Sequence, residues 1–360
     1  MLNHGGKLRQ YARQFDRPLN EWVDLSTGVS PFTYPIGSIP EPVWNRLPED
    51  EDGLIEAACG YYQCDKLLPV AGSQAAIQLL PKLMLNRYLT LPNIAQHDVP
   101  IFRVGLPKVG YKEHQLAWRN AVFTYKQCGV LLEYCFYDAE PTHADLVQLD
   151  ALLVINPNNP STDKFTSEQL LTWRGLMKSD AVLLVDEAFM DMTPEQSILH
   201  HFASNSGTKS LPENIVVLRS LGKFFGLAGL RVGFLFAYPL ILERAKSQIG
   251  PWAVTGPSRY AATKALADHA WQQQNRSRLR KEGERMQALL ANHFSQQPNG
   301  HSLFYTVKLD NAEDVHIALA EQGILSRLCD EKDAVRFGLP KTEQEWLSFE
   351  QALNRIKEVR

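Results

Sequence analysis

Four short stretches of the chain combine residue types that could do chemistry with turns that could present them. The first is RSLGKFFGLAGLR, residues 219–231, where Lys223 stands alone in a glycine-rich segment flanked by Arg219 and Arg231. A lysine beside other cations and partly withdrawn from water has a lowered pKa, so its amine can attack a carbonyl and form a Schiff base. A solvated loop lysine is the plainer reading. The neighbouring glycines permit close backbone approach to a bound group. The second stretch, VAGSQ at 70–74, reads as a strand, a turn at Gly72 and a helix from Ser73. Such a turn offers unpaired amides and the positive end of a helix dipole to an anion, ideally a phosphate; Ser73 serves equally as an ordinary helix N-cap. The third, VINPNNPST at 154–162, packs two Asn-Pro pairs into a rigid turn. Asn159 there can donate to a ligand oxygen or simply build the turn. In the fourth, VDEAFMD at 185–191, Asp186 directly follows a buried-looking strand. A carboxylate in that position is costly unless paired, whether with a protonated ring nitrogen, an arginine or a metal; it is also eligible as an N-cap. Alternation turns Glu187 to the opposite face. No His or Asp residues converge at metal-ligand spacing.

These groups need a scaffold, and the composition supplies one. With 360 residues, 44% hydrophobic and 21% charged, the chain can bury a normal core in one large domain plus a smaller one. Its formal charge of −3 gives no basic excess for nucleic acid or an anionic membrane. Five cysteines without a C-x-x-C pair argue against a disulfide framework or structural zinc. The N-terminus lacks the apolar run of a signal peptide, and no stretch is long enough to span a bilayer. The expectation is a reduced, cytoplasmic protein.

Along the chain, prolines are dense from Pro31 to Pro48, which predicts an extended arm with short helical pieces. From about residue 53, short apolar strands alternate with helical segments: the fold class is α/β, with a mostly parallel sheet covered by helices on both faces. Beyond Pro251 the pattern becomes a smaller α+β unit, opening on long helical sequence over 258–294. The expected division is an N-terminal arm over 1–35 that folds back on the tail, a large domain over 36–250 and a small one over 251–360. Functional groups of such a sheet gather at the carboxyl ends of its strands, where all four stretches lie.

In this order and spacing, the four stretches resemble the fold type I enzymes that depend on pyridoxal 5'-phosphate. The resemblance runs from about His4 to Arg336. It implies that Lys223 holds the cofactor covalently, that Asp186 pairs with the protonated pyridine nitrogen and that Asn159 bonds the ring hydroxyl. Tyr111 would stack on the ring, while Gly72, Ser73, Gln74, Ser220 and Arg231 would hold the cofactor phosphate. Arg336, in AVRFGLP, would clamp the substrate carboxylate in bidentate fashion. Two positions depart from the pattern. Phe189 stands where aminotransferases of this type usually have a tyrosine, and Leu47 stands where related enzymes carry a tyrosine that reaches the partner's phosphate. A homodimer with shared sites is expected from the resemblance alone.

The N-terminal segment, HGGKLRQYARQF followed by EWVDLSTGVSPFTYP, resembles the cobalamin-biosynthetic threonine-phosphate decarboxylases, as do DEAFMDMTPEQS and SLGKFFGLAGLRVGF. That likeness implies decarboxylation of L-threonine O-3-phosphate, with His4, Gly5, Gly6, Gly28 and Arg327 joining Arg336 in substrate binding. For His4 a disordered terminus is the plain alternative. Two other readings stay open: a histidinol-phosphate aminotransferase on the same scaffold, and a cofactor-binding protein without catalysis.

Overall fold

Seven apolar segments form one sheet, in the spatial order Leu67–Val70, Gly233–Phe236, Ile215–Ser220, Val182–Asp186, Ala151–Ile155, Ile101–Pro107, Leu131–Tyr137. A computed structural model describes residues 5–92, 99–205 and 209–358 of the chain. Only Gly233–Phe236 runs antiparallel to its neighbours; the other pairings are parallel, as the alternation of strands and helices predicts. Parallel neighbours need a crossover, and helices supply it on both faces. Leu184, Val216 and Leu218 pack with the helices Ser73–Tyr88 and Lys112–Gln127. Leu183, Val185 and Val217 face the other way, toward the helix Ser167–Leu176 and the C-terminal part of the chain. With both faces dry, the strands read as unbroken apolar runs rather than alternating ones.

The period of two in a strand then fixes what happens at the strand ends. Asp186 and Ser220 share the face of Leu184 and Leu218, whereas Glu187 and Arg219 share the face of Val185 and Val217. On that second face Arg219 bonds Glu187 at 2.9 Å and Asp191 at 2.6 Å, and all three side chains are buried.

The C-terminal part holds a four-stranded antiparallel sheet in the order Arg327–Leu328, Ala334–Gly338, Phe304–Lys308, Asn299–Gly300. The helical sequence over 258–294 is two helices, Gly256–Ala267 and His269–His293. Asp268 breaks it by accepting from the Trp271 amide at 2.9 Å, an N-cap in the middle of the run. The N-terminal segment threads into this part: Val23–Asp24 pairs in parallel with Ile324–Leu325, and the Gly338 amide donates to the Leu25 carbonyl. The same segment also grips the loop that carries Lys223. The amide of Ser30 donates to the Lys223 carbonyl and that of Tyr34 to the Phe225 carbonyl. No helix among the described residues is long and apolar enough to cross a membrane.

Candidate active site

A cavity of about 270 Å³ opens where the carboxyl ends of the central strands, the Lys223 loop, the N-terminal segment and the C-terminal sheet meet. Of the residues singled out from sequence, Gly5, Gly28, Tyr111, Asn159, Lys223, Arg327 and Arg336 line it. Asp186 sits behind it at the end of its strand, and Ser220 at the end of the next. His4 lies outside the described residues.

Lys223 is half-buried, its ammonium 5.5 Å from the centroid of the Phe189 ring. Burial, then the like charges of Arg336 and Arg231, pull its pKa down to about 8, against the opposing pull of Asp186. An amine with that pKa is neutral in about one molecule in ten at pH 7, against a few in ten thousand for an ordinary lysine. Capture of an added aldehyde by the cofactor-free protein should therefore speed up about tenfold per pH unit up to pH 8 and level off above it. A rate still climbing at pH 9.5 would contradict this environment for the amine.

Asp186 is buried, with Oδ1 accepting from the Ala188 amide and Oδ2 standing 2.8 Å from His114 Nε2. His114 is itself buried and was not singled out from sequence. A strand-end carboxylate that must be paired was the signal for it, but the pairing forms only once the helix Lys112–Gln127 packs on the sheet. Asn159 Oδ1 accepts from Arg336 Nη1 at 2.6 Å, which leaves the amide nitrogen of Asn159 as its donor. Arg336 Nη2 donates to the Ser26 carbonyl at 2.7 Å, and its buried Nε has no partner among the described residues. The guanidinium is thus held by the protein, with a second N–H on each Nη and the Nε–H still to offer. Its pKa is lowered to about 10 by burial and by Arg327.

Gly72, not Ser73, takes the N-cap position of the helix Ser73–Tyr88, at φ 74° and ψ 160°, and no side chain caps that end. The N-cap reading of Ser73 is corrected accordingly: no side chain among the described residues takes the first-turn amides, of which that of Ala75 donates to the Gly72 carbonyl. A methyl group on Gly72 would stand 2.9 Å from Arg231 Nη2, so the guanidinium lies against this turn. Gln74 accepts from the Tyr111 hydroxyl at 3.2 Å and donates to Glu113, which ties the turn to the cavity wall.

The glycines on either side of Lys223 work differently from the expectation. A Cβ on Gly222 would meet the Ala228 backbone at 2.9 Å, and one on Gly226 the Ser30 and Phe32 carbonyls, also at 2.9 Å. They let protein backbone, rather than a ligand, come close. Gly28 is pressed on Phe304 and Phe189, and Gly5 on the Ser26 carbonyl, while the Gly6 amide donates to Ser26 Oγ at 2.8 Å. Phe189 has no hydroxyl to offer; it packs edge-on against Phe304 instead. Leu47 is exposed, as is Trp44 nearby.

These residues fit a pyridoxal phosphate. An amine of lowered pKa faces the cavity, a buried carboxylate stands behind it, and an uncapped helix start beside an arginine can take a phosphate. Among the described residues no group of three acidic, His or Cys side chains could hold a metal ion.

The family described as aminotransferase class I and II matches residues 104–347. Over 359 residues the chain is 41% identical to the threonine-phosphate decarboxylase of Pseudomonas aeruginosa, covering 99% of each. Among solved structures, L-threonine-O-3-phosphate decarboxylase from Porphyromonas gingivalis superimposes with a TM-score of 0.69 at 18% identity, covering 93% of this chain and 99% of that one. Histidinol-phosphate aminotransferase from Sinorhizobium meliloti, in complex with pyridoxal-5'-phosphate, does so at 0.74 and 16%, covering 99% and 96%. At such identities the two structures speak for the fold alone.

Proposed function

The chain belongs to the aminotransferase class I and II family and, within it, to the threonine-phosphate decarboxylases, and from that premise we propose that it binds pyridoxal 5'-phosphate and decarboxylates L-threonine O-3-phosphate to (R)-1-amino-2-propanol O-2-phosphate. The observation that carries this reading is a second arginine, Arg327, lining the cavity with Arg336. A substrate with both a carboxylate and a phosphate calls for two such cations.

In this reading Lys223 holds the cofactor, Asp186 faces its ring nitrogen, and Asn159 its ring hydroxyl. Tyr111 covers the ring, and Gly72, Ser73, Gln74, Ser220 and Arg231 surround its phosphate. The chemistry supplied by the bound cofactor is an electron sink for the pair left at Cα as carbon dioxide departs. The protein's own part is orientation: the bond to the carboxylate must stand perpendicular to the ring for that overlap. Arg336 positions the carboxylate while already committed to Asn159 and Ser26. A tighter grip would stabilise the ground state and oppose the loss of the carboxylate, so contacts to the substrate phosphate must carry much of the binding energy. Lys223, in its ammonium form, is the protein group placed to supply the proton that Cα gains in place of the carboxylate. A homodimer, with exposed Trp44 and Leu47 at the contact, is part of the same proposal.

If the phosphate carries the binding, the cofactor-loaded protein should turn over L-threonine O-3-phosphate with a kcat/KM at least about 10³-fold above that for L-threonine, as expected for a site whose polar groups would otherwise be left unpaired. Comparable values for the two, measured by release of the amine product, would sink the proposal.

A further inference from the structure

Among the described residues four cationic side chains line the cavity, Lys112, Lys223, Arg327 and Arg336, against one acid, Asp330. The functional reading uses three of the four. Lys112 is the first residue of the helix Lys112–Gln127, directly after Tyr111, so it enters the cavity beside the residue expected to cover the cofactor ring. Its ammonium lies 2.8 Å from Glu331 and donates to the Lys108 carbonyl at 2.7 Å. Arg327 is held in the same manner by the adjacent acid, Asp330, at 3.0 Å. Two consecutive carboxylates, in the turn between the strands Arg327–Leu328 and Ala334–Gly338, thus hold two cations that arrive from different parts of the chain. Such a pair presents roughly the charge of one phosphate dianion. Both bridges are partly open to water, where an ion pair contributes about 0–1 kcal/mol, so a better-placed anion can replace either acid.

Resting on the functional reading above, we propose that Lys112 is a ligand of the substrate phosphate, exchanging Glu331 for phosphate oxygen when substrate binds, and that with Arg327 it sets the preference for a phosphorylated amino acid. Lysine suits the role as a mobile point charge, while Arg327 supplies the planar fork. The competing role for the same bridge is mechanical: Lys112–Glu331 would only staple the helix to the C-terminal sheet.

The two roles make opposite predictions for the two partners. In CO₂-release assays of the cofactor-loaded enzyme, Lys112→Gln should raise KM for L-threonine O-3-phosphate about tenfold, the size expected for one charge-assisted hydrogen bond, with kcat falling less than KM rises. Lys112→Arg should recover most of the loss. Glu331→Gln should bind substrate as well as the unaltered enzyme or better, because Lys112 is freed. Equal KM increases in Lys112→Gln and Glu331→Gln would mean a staple and overturn the proposal, as would a KM within twofold of normal in Lys112→Gln. Calorimetric titration of the loaded enzyme with inorganic phosphate separates this inference from the functional reading. If the unaltered enzyme released no CO₂, that reading would fail; a roughly tenfold weaker phosphate affinity in Lys112→Gln would still support the ligand role, and an unchanged one would overturn it.

Discussion

Replacing Lys223 by alanine is expected to lower CO₂ release from L-threonine O-3-phosphate by roughly 10³-fold or more and to remove the covalent, visibly absorbing form of the bound cofactor. Both effects follow from one atom. The Nζ of Lys223 is the amine that lines the cavity with a pKa brought down to about 8, with Asp186 and Arg336 near enough to influence it. Among the described residues the other lysine lining the cavity lacks this setting: Lys112 is paired with Glu331. The fold should survive the substitution, because the loop is held through its backbone, by Ser30 to the Lys223 carbonyl and by Asn275 Nδ2 to the Phe224 carbonyl at 2.9 Å. The check is an absorbance spectrum beside an activity assay on the same preparation. An unchanged spectrum would remove Lys223 from the role.

The largest expected loss of stability lies on the opposite face of the same strands. Arg219→Met removes the cation that Glu187 and Asp191 share, and both carboxylates are buried there. Burial pushes the Glu187 carboxyl above its usual pKa, and Arg219 is what opposes that push most. Left without it, the two acids would be buried charges with little compensation, at a cost of about 3–5 kcal/mol. Urea denaturation of the cofactor-loaded protein reads this as a lower midpoint. A loss under about 1 kcal/mol would show that the remaining partners suffice: Ser197 and the Ile198 amide for Glu187, and the Tyr61 hydroxyl for Asp191. Replacing Arg219, Glu187 and Asp191 together by apolar residues of similar size should cost less than Arg219→Met, since no unpaired charge then remains.

The sequence speaks most clearly where chemistry is carried by a turn at the end of a strand. Gly72, Asn159, Asp186 and Lys223 could be read there because an α/β sheet brings such ends together, whichever residues lie between. Alternation along VDEAF separates Asp186 from Glu187, and the structure puts them on opposite faces. What alternation cannot supply is the partner. The pairing of Glu187 with Arg219 depends on Val182–Asp186 and Ile215–Ser220 being adjacent strands, and the contact of Asp186 with His114 on how a helix seats against them. Gly222 and Gly226 show the limit from another side. Their lack of a side chain was legible, but what comes close to them was not: Ala228, six residues on, folds back against Gly222, and Ser30–Thr33, far away in sequence, packs on Gly226. Asp268 did leave a local signal, an N-cap residue within helical sequence, though the helical pattern on both sides masked it.

The most direct test of the account is to follow both products when the cofactor-loaded protein is given L-threonine O-3-phosphate. The account predicts one CO₂ and one phosphorylated amino alcohol for each substrate consumed, with no keto acid. Absence of CO₂, together with transfer of the amino group from histidinol phosphate to 2-oxoglutarate, would contradict it and assign the same scaffold to amino transfer.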